Sequence, residues 1–365
     1  MAIVGAGMAG ASLAAEIAAH ASVLLYEAED QPGYHATGRS AAFWSETYGG
    51  PLVQPLTTAS RPFLERPDPT FSEHSFLSPR GAIHLADAAG EGALDRLMAD
   101  FPRGQVDLRP LGRDELSRLI PQLRPGWDRA LFEPSCADID VAALHAAYLR
   151  RARRLGAQLA TGARVTRIEP APNGWLVEAG GADYEASILV NAAGAWADEI
   201  ATLARVRPLG IRPYRRTMLQ VVVDPPAPAG LPLVIDARER FYFKPEAGGR
   251  LWLSPHDETP CPPCDTAPME VDTALAVARL EEATQWRVQR VERRWAGLRT
   301  FAPDRRPVYG FAADAPSFFW CAGQGGFGIQ TAPAAAKLAA AVLLGRAPDA
   351  AVAQIDPGPY RPGRF

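Results

Sequence analysis

The chain has 365 residues, enough for two domains or one large domain with an insertion, and its 47% hydrophobic and 22% charged residues are the composition of a soluble globular protein. A net charge of −3 gives no global electrostatic case for nucleic acid or an anionic membrane. The 34 Pro and 32 Gly are spread along the chain and mark loops, and four Cys in this length make no disulfide framework.

Ile3 and Val4 read as the end of a short buried strand. Gly5-Ala6-Gly7-Met8-Ala9-Gly10 follows and fits G-x-G-x-x-G. Ala9 to His20 reads as a helix, and Leu24 to Tyr26 as a second strand that ends at Glu27 and Ala28. In a dinucleotide site Gly5 allows the tight turn, Gly7 lets backbone approach a pyrophosphate, and Gly10 lets helix and strand pack closely. The pyrophosphate sits on free N–H groups at the positive helix end, with Ala9 in its first turn. Glu27 is placed to accept from a ribose hydroxyl, which argues against NADP but does not separate NAD from FAD. The apolar N-terminus lacks a basic n-region, so the Gly motif explains it better than a signal peptide does. Glu16 and Lys337 break the longest apolar runs, so no transmembrane segment is expected. A cytoplasmic location is expected, with peripheral membrane association left open.

Pro32 to Ala42 is rich in small residues and suits a loop that opens a helix near phosphate. Arg39 and Ser40 could both donate to an anionic oxygen, ahead of Ala41 and Ala42; the alternative is a plain N-cap by Ser40. Residues 50 to 135 alternate Pro-rich loops with short apolar pieces. Ala82 to Leu85 reads as a strand, Leu94 to Met98 as a helix, and the later part as a lobe over the site. Asp140 caps a helix that runs to Leu155 and stops at Gly156. Arg164 to Ile168 is a strand. Trp175 to Val177 and Tyr184 to Ala186 pair as a small meander after the Asn173-Gly174 turn. Ile188 to Ala192 is a buried strand ending at Gly194.

Beyond residue 206 the pattern becomes that of an antiparallel sheet. Met218 to Val223 is strand-like, and Phe241 to Phe243 and Leu251 to Leu253 flank a Gly248-Gly249 hairpin. Cys261-Pro262-Pro263-Cys264 has no second pair to complete a zinc site, and its prolines oppose a thioredoxin-like helix start. It reads as a loop with two spectator thiols, and no metal site is expected. Asp272 to Gln285 is helix-like. Trp286 to Trp295 alternates as an exposed strand, with Arg287, Arg290, Arg293 and Arg294 on a solvated face beside Glu292. Phe318 to Ala322 is a strand, and Gly325 to Gly328 is a second Gly-rich turn. Thr331 to Leu344 is a helix with Pro333 in its first turn and Gly345 past its end. Its N-terminus would point partial positive charge at an anion.

The Gly motif, Pro32 to Ala42, Tyr48-Gly49, Ala137 to Asp140, Asn191 to Trp196, Trp295 to Arg299 and Gln324 to Thr331 together resemble the flavin-dependent D-amino-acid oxidase/dehydrogenase superfamily. They follow its order over nearly the full length, and within it the nearest likeness is to the bacterial D-arginine dehydrogenases. The resemblance implies an α/β fold, α+β overall. A Rossmann-like, glutathione-reductase-type FAD domain is built from residues 1–75, 136–205 and 301–365. A substrate domain with an antiparallel sheet is built from residues 76–135 and 206–300. It also implies non-covalent FAD. Val165, Ala193, Gly194 and Trp196 lie toward the adenine end. Gly297, Arg299, Gly325, Gly326, Phe327, Gly328, Ile329 and Gln330 lie toward the flavin, where the second Gly turn stabilises charge on its reduced form.

The reaction implied is hydride removal from substrate Cα to flavin N5, giving an imino acid that hydrolyses to a 2-oxo acid and ammonia. Arg299 holds the substrate carboxylate through its planar fork. Arg216, or its neighbour Arg215 pointing the other way on a strand, assists it. Tyr242 and Tyr48 supply hydroxyls, and Gly326 and Gln330 complete the catalytic set. No dedicated base is required. His35 belongs to the cofactor loop, and His84 reads as structural. Two positions depart from the D-arginine enzymes. Phe43 replaces a His, and Ala82 replaces the acidic partner of the substrate guanidinium, which would leave a buried cation uncompensated. Ser45 is placed in the same pocket, and Phe43 and Ala82 make that pocket more apolar, so neutral or hydrophobic D-amino acids are expected over D-arginine. The electron acceptor is a quinone or O2. Alternatives are a glycine- or sarcosine-type amine oxidase using O2, a 2-hydroxy-acid dehydrogenase of the same superfamily, and a non-catalytic flavoprotein or NAD-binding module.

Overall fold

The computed structural model describes residues 1–102 and 104–365. The first strand, Ala2–Val4, is three buried residues. It lies inside a six-stranded sheet in the order Val308–Phe311, Phe318–Ala322, Leu189–Asn191, Ala2–Val4, Leu24–Tyr26, Gln158–Ala160. The last five run parallel, and Val308–Phe311 is antiparallel to its neighbour. A parallel sheet must be covered on both faces, so its strands read as continuous apolar runs. Helices Met8–Ile17, Val141–Arg154 and Ala332–Leu344 cover one face through Ile3, Leu13, Leu25, Leu144 and Leu338. The meander of Val165–Ala171, Gly174–Ala179 and Ala182–Ala186 covers the other, where Ile168, Trp175 and Val177 meet Ala2, Val4, Phe318 and Trp320.

The helix expected to reach His20 ends at Ile17, because His20 and Ala21 donate back to the Ile17 carbonyl and close a turn. Asp140 caps its helix as expected, accepting from the Ala143 N–H at 2.9 Å. Gly345 ends the last helix in the left-handed conformation at φ 61°.

The second sheet has ten strands. Its spine is a pair of long strands, Arg212–Asp224 and Arg287–Phe301, antiparallel along their whole length. Both exceed the expected spans. From the spine the sheet continues through Arg250–Ser254, Tyr242–Glu246, Leu233–Asp236, Ala82–Ala86, Arg129–Glu133 and Arg109–Leu111. The sheet is mainly antiparallel, but Leu233–Asp236 runs parallel to Ala82–Ala86, a strand supplied by an earlier part of the chain.

Side chains alternate across a strand, so the register decides which residues share a face. Arg216 pairs with Gly297, Leu219 with Leu253, Tyr242 with Ser254, and Ile235 with both Tyr242 and His84. Counting in twos along each strand places Arg299, Arg216, Met218, Tyr242, Ile235 and His84 on one face. Leu219, Val221, Leu253, Phe243, Val234 and Ile83 lie on the other. That face is sealed by Ala276, Leu280 and Ala283 of the helix Glu270–Ala283 and by Leu116 and Ile120. The helices Gln54–Glu65 and Arg113–Leu119 stand where only loops and short apolar pieces were expected. Among the described residues, no helix is long and apolar enough to cross a membrane.

Candidate active site

One cavity of about 960 Å³ runs from the first Gly turn to the open face of the ten-stranded sheet. That is the upper end of the size range for small-molecule sites. Gly5 turns the chain at φ 100°, and a Cβ there would press on the Ala192 carbonyl. Gly10 is buried against the Gly5 carbonyl, so helix and strand touch backbone to backbone. It is the one residue of the expected cofactor set that does not line the cavity. Gly7 is the N-cap of Met8–Ile17 and offers no side chain to the helix start. The Met8 N–H is satisfied from outside, by the Thr37 hydroxyl at 3.0 Å. Glu27 accepts from the Ala6 N–H and the Glu29 N–H, both at 3.1 Å, and so braces the Gly turn from the end of the second strand. An uncapped helix start beside an acidic strand end fits a dinucleotide such as FAD.

The loop 32–42 differs from expectation. It forms successive turns and opens no helix: Gly38 N–H bonds the Gly33 carbonyl at 2.8 Å, Arg39 N–H bonds the His35 carbonyl at 3.2 Å, and a short strand follows at Phe43–Trp44. Arg39 lines the cavity, yet its guanidinium is committed to the protein. Nη1 donates to the carbonyls of Thr266 and Ala296, each at 3.1 Å, Nε to that of Tyr34 at 3.3 Å, and Nη2 to Asp265. Arg39 therefore latches the cofactor loop to the ten-stranded sheet. Ser40 likewise caps its own turn, accepting from the Ala42 N–H at 3.1 Å.

At the sheet end, Arg299 and Arg216 project from one face, while Arg215 points away to Asp272 at 3.2 Å and does not line the cavity. Arg299 Nη1 donates to the Tyr48 hydroxyl at 3.1 Å and Nη2 to Glu258 at 2.6 Å; its Nε is buried without a partner. Burial pulls the Arg299 pKa down, but Tyr48 and Glu258 outweigh it and hold it above the ordinary value. Arg216 is less well compensated. Its Nε donates to the Asp257 carbonyl at 2.8 Å and its Nη2 to the His256 carbonyl at 3.5 Å, while the Asp257 carboxylate stands 3.8 Å away. Burial, and then the charge of Arg299, press its pKa below the ordinary value. Two buried guanidiniums with one close carboxylate between them are a site for an added anion.

The remaining residues fall into walls and supports. Tyr242 lies against Phe43 and His256, with ring centroids 6.1 and 5.5 Å away, and its hydroxyl meets the Met218 sulfur at 2.9 Å. A Cβ at Gly326 would overlap the Tyr48 hydroxyl and crowd Arg299 Nη1 at 3.0 Å, so a side chain there would have to push the pair aside. Gln330 spends its whole amide on the 45–57 segment. It accepts from the Ser45 N–H at 3.1 Å and donates to Ser45 O, Tyr48 O and Thr57 Oγ1 at 3.1, 3.2 and 2.9 Å. It is a positioning residue for Tyr48. Ala82 lines nothing: it is fully buried in the cluster that holds Met218, Leu233 and Tyr242. His84, two residues further on the same face, reaches the cavity instead. It touches the buried carboxylate of Glu133 at 3.2 Å, which also accepts from Ser45, Thr47 and the Glu46 N–H. Sequence reasoning missed Thr37, Thr47, Glu133, His256 and Glu258, whose roles depend on partners far along the chain.

A family model described as FAD dependent oxidoreductase matches residues 1–342. Glycine oxidase of Pseudomonas aeruginosa is 25% identical over 99% of this chain and 97% of its own length. The hydrogen cyanide synthase subunit HcnC of the same organism is 26% identical over 74% of this chain; that match spans 63% of the subunit. The crystal structure of glycine oxidase from Geobacillus kaustophilus superposes with a TM-score of 0.84 at 23% identity, covering 100% of this chain and 98% of that one.

Proposed function

The chain belongs to the FAD-dependent oxidoreductase family, and on that premise we propose that it oxidises an α-amino acid at Cα, favouring D-amino acids with neutral or apolar side chains. The observation that carries the carboxylate half is the pair Arg216 and Arg299 on one sheet face, with Arg216 lacking a close anionic partner. A substrate carboxylate supplies that charge, and the planar forks fix its orientation. The apolar half rests on Phe43, Met218, Ile235 and Tyr242 along the cavity wall, tempered by His84 and Thr47. The D-arginine likeness is not carried into the substrate, since Ala82 supplies no carboxylate and lies buried behind the wall.

We assign FAD to the arm of the cavity between the Gly5–Gly10 turn and Gly325–Gln330, with residues 1–75, 136–205 and 301–365 as its domain and the rest as the substrate domain. When bound, the flavin accepts the hydride that leaves Cα. Arg216 and Arg299 hold the carboxylate, Tyr48 steadies Arg299, and Gln330 steadies Tyr48. His256 stays neutral, because burial and then the two arginines hold its pKa well below the usual range. It is a poor proton acceptor near neutral pH and is not assigned the role of base. The imino acid product hydrolyses to a 2-oxo acid and ammonia.

A second reading is a glycine- or secondary-amine oxidase that uses O2, favoured by the full-length match to glycine oxidase. Anaerobic visible spectra of the purified protein with D- and L-amino acids, glycine and sarcosine decide between them. Bleaching led by apolar D-amino acids supports the first reading. Bleaching only by glycine or sarcosine, with peroxide formed in air, supports the second.

A further inference from the structure

Cys261 and Cys264 have no part in the chemistry above. Their sulfurs lie 3.7 Å apart as free thiols, and both residues are half-buried, whereas Cys136 and Cys321 are buried. Cys261 is pinned: its N–H donates to the Pro213 carbonyl at 3.1 Å, on the long strand that carries Arg216. Cys264 lines the cavity. The next two residues are the ones that clasp Arg39 of the cofactor loop. Asp265 pairs with its Nη2 and accepts from the Tyr34 hydroxyl at 3.1 Å, and the Thr266 carbonyl accepts from its Nη1. The Thr266 hydroxyl also lies 3.9 Å from the Cys261 sulfur.

We propose that Cys261 and Cys264 are a redox-active dithiol which hydrogen peroxide converts to a disulfide, and that this disulfide loosens the Asp265–Thr266 hold on Arg39 and with it the retention of FAD. One thiolate attacks the peroxide; an S–O bond forms, the O–O bond breaks, and the first water leaves. The second thiolate attacks the sulfenic sulfur; the S–S bond forms, the S–O bond breaks, and a second water leaves. Two thiols lose two electrons and two protons, and the peroxide is reduced to two waters. A disulfide needs sulfurs about 2.05 Å apart, so the two must close by well over an ångström. The Pro262-Pro263 pair has fixed φ and absorbs little of that motion. With the Cys261 backbone anchored, whatever closure side-chain rotation does not supply falls on the Cys264 backbone, and Asp265 and Thr266 move with it. The assignment of FAD to this cavity is the premise of the second half only.

The test treats FAD-loaded protein with hydrogen peroxide, quenches with catalase, and reads intact mass, peptide maps and FAD affinity by flavin fluorescence. The expected result is a loss of about 2 Da in the peptide carrying both cysteines, reversed by dithiothreitol. FAD Kd should rise roughly tenfold, the worth of one charge-assisted hydrogen bond. Cys264→Ser should keep its FAD affinity through the same treatment, and Asp265→Asn should bind FAD more weakly from the start and respond little to peroxide. Unchanged thiols, or sulfinic and sulfonic adducts in place of the disulfide, overturn the dithiol. A disulfide that leaves FAD Kd within about twofold overturns the coupling to Arg39. Failure of the cavity to take FAD would show as a colourless protein whose mass result still stands.

Discussion

Arg216→Met should separate binding from stability. Arg216 is buried, and its direct partners are two backbone carbonyls, at 2.8 and 3.5 Å. The loss orphans those two carbonyls, at about 1 kcal/mol each, but the Asp257 carboxylate, 3.8 Å from Arg216, keeps Arg215 at 3.9 Å and two bonds from Thr217. Unfolding free energy should therefore fall by about 2 kcal/mol, short of the about 3–5 kcal/mol that a buried charge left without a partner costs. Binding should suffer more, because the substrate carboxylate loses a charge-assisted partner worth about 3–5 kcal/mol, or roughly two to three and a half powers of ten in affinity. The assay is kcat/KM from anaerobic flavin bleaching alongside urea unfolding, with the carboxamide of the same amino acid as control. The amide carries no charge, so its loss should stay below about tenfold. A folded variant with kcat/KM within about fivefold of the parent for the acid, or an amide that suffers equally, would refute the carboxylate assignment.

Gly326→Ala should drive Tyr48 and Arg299 apart, raising KM for amino acids by about tenfold or more; an unchanged KM would mean that the overlap relaxes at no cost. Gln330→Leu removes four hydrogen bonds and leaves buried groups of the 45–57 segment unpaired, so urea unfolding should show a loss of about 2–4 kcal/mol. His256 titrates lower in the fold than the unfolded value of about 6.5. The unfolded chain therefore binds its proton first as pH falls. Stability is full above about pH 6.5 and drops below it, by at most about 1.4 kcal/mol per pH unit from this group. His256→Asn should flatten that slope between pH 5 and 6.5 in urea titrations; an unchanged slope would assign the dependence to other groups.

The local signals proved readable wherever the cause was local. The Gly5–Gly10 turn, the Asp140 cap, the hairpin at Gly248-Gly249 and the helix from Ala332 to Gly345 each follow from residues a few positions apart. What depended on distant partners was not readable. Arg39 looks like a phosphate ligand until Asp265, Thr266 and Ala296 claim its guanidinium from more than two hundred residues away. Ala82 looks like pocket wall, and the register does put it on the cavity face with His84, but Met218, Leu233 and Tyr242 cover it. The choice between Arg215 and Arg216 needed one fact, the pairing of Arg216 with Gly297, which puts Arg216 on the face of Arg299.

That pairing has a consequence for how such an enzyme can change its diet. Arg216 and Arg299 hang from adjacent strands of a continuous backbone ladder, so their spacing is set by main-chain hydrogen bonds and not by their neighbours' side chains. Phe43, which meets the Tyr242 ring at 6.1 Å between centroids, lines the cavity from a two-residue strand outside that ladder. Its side chain can vary without disturbing the ladder. On the proposed reading, the grip on the amino-acid head is thus built separately from the wall that meets its tail, and a change of side-chain preference needs substitutions only in that wall.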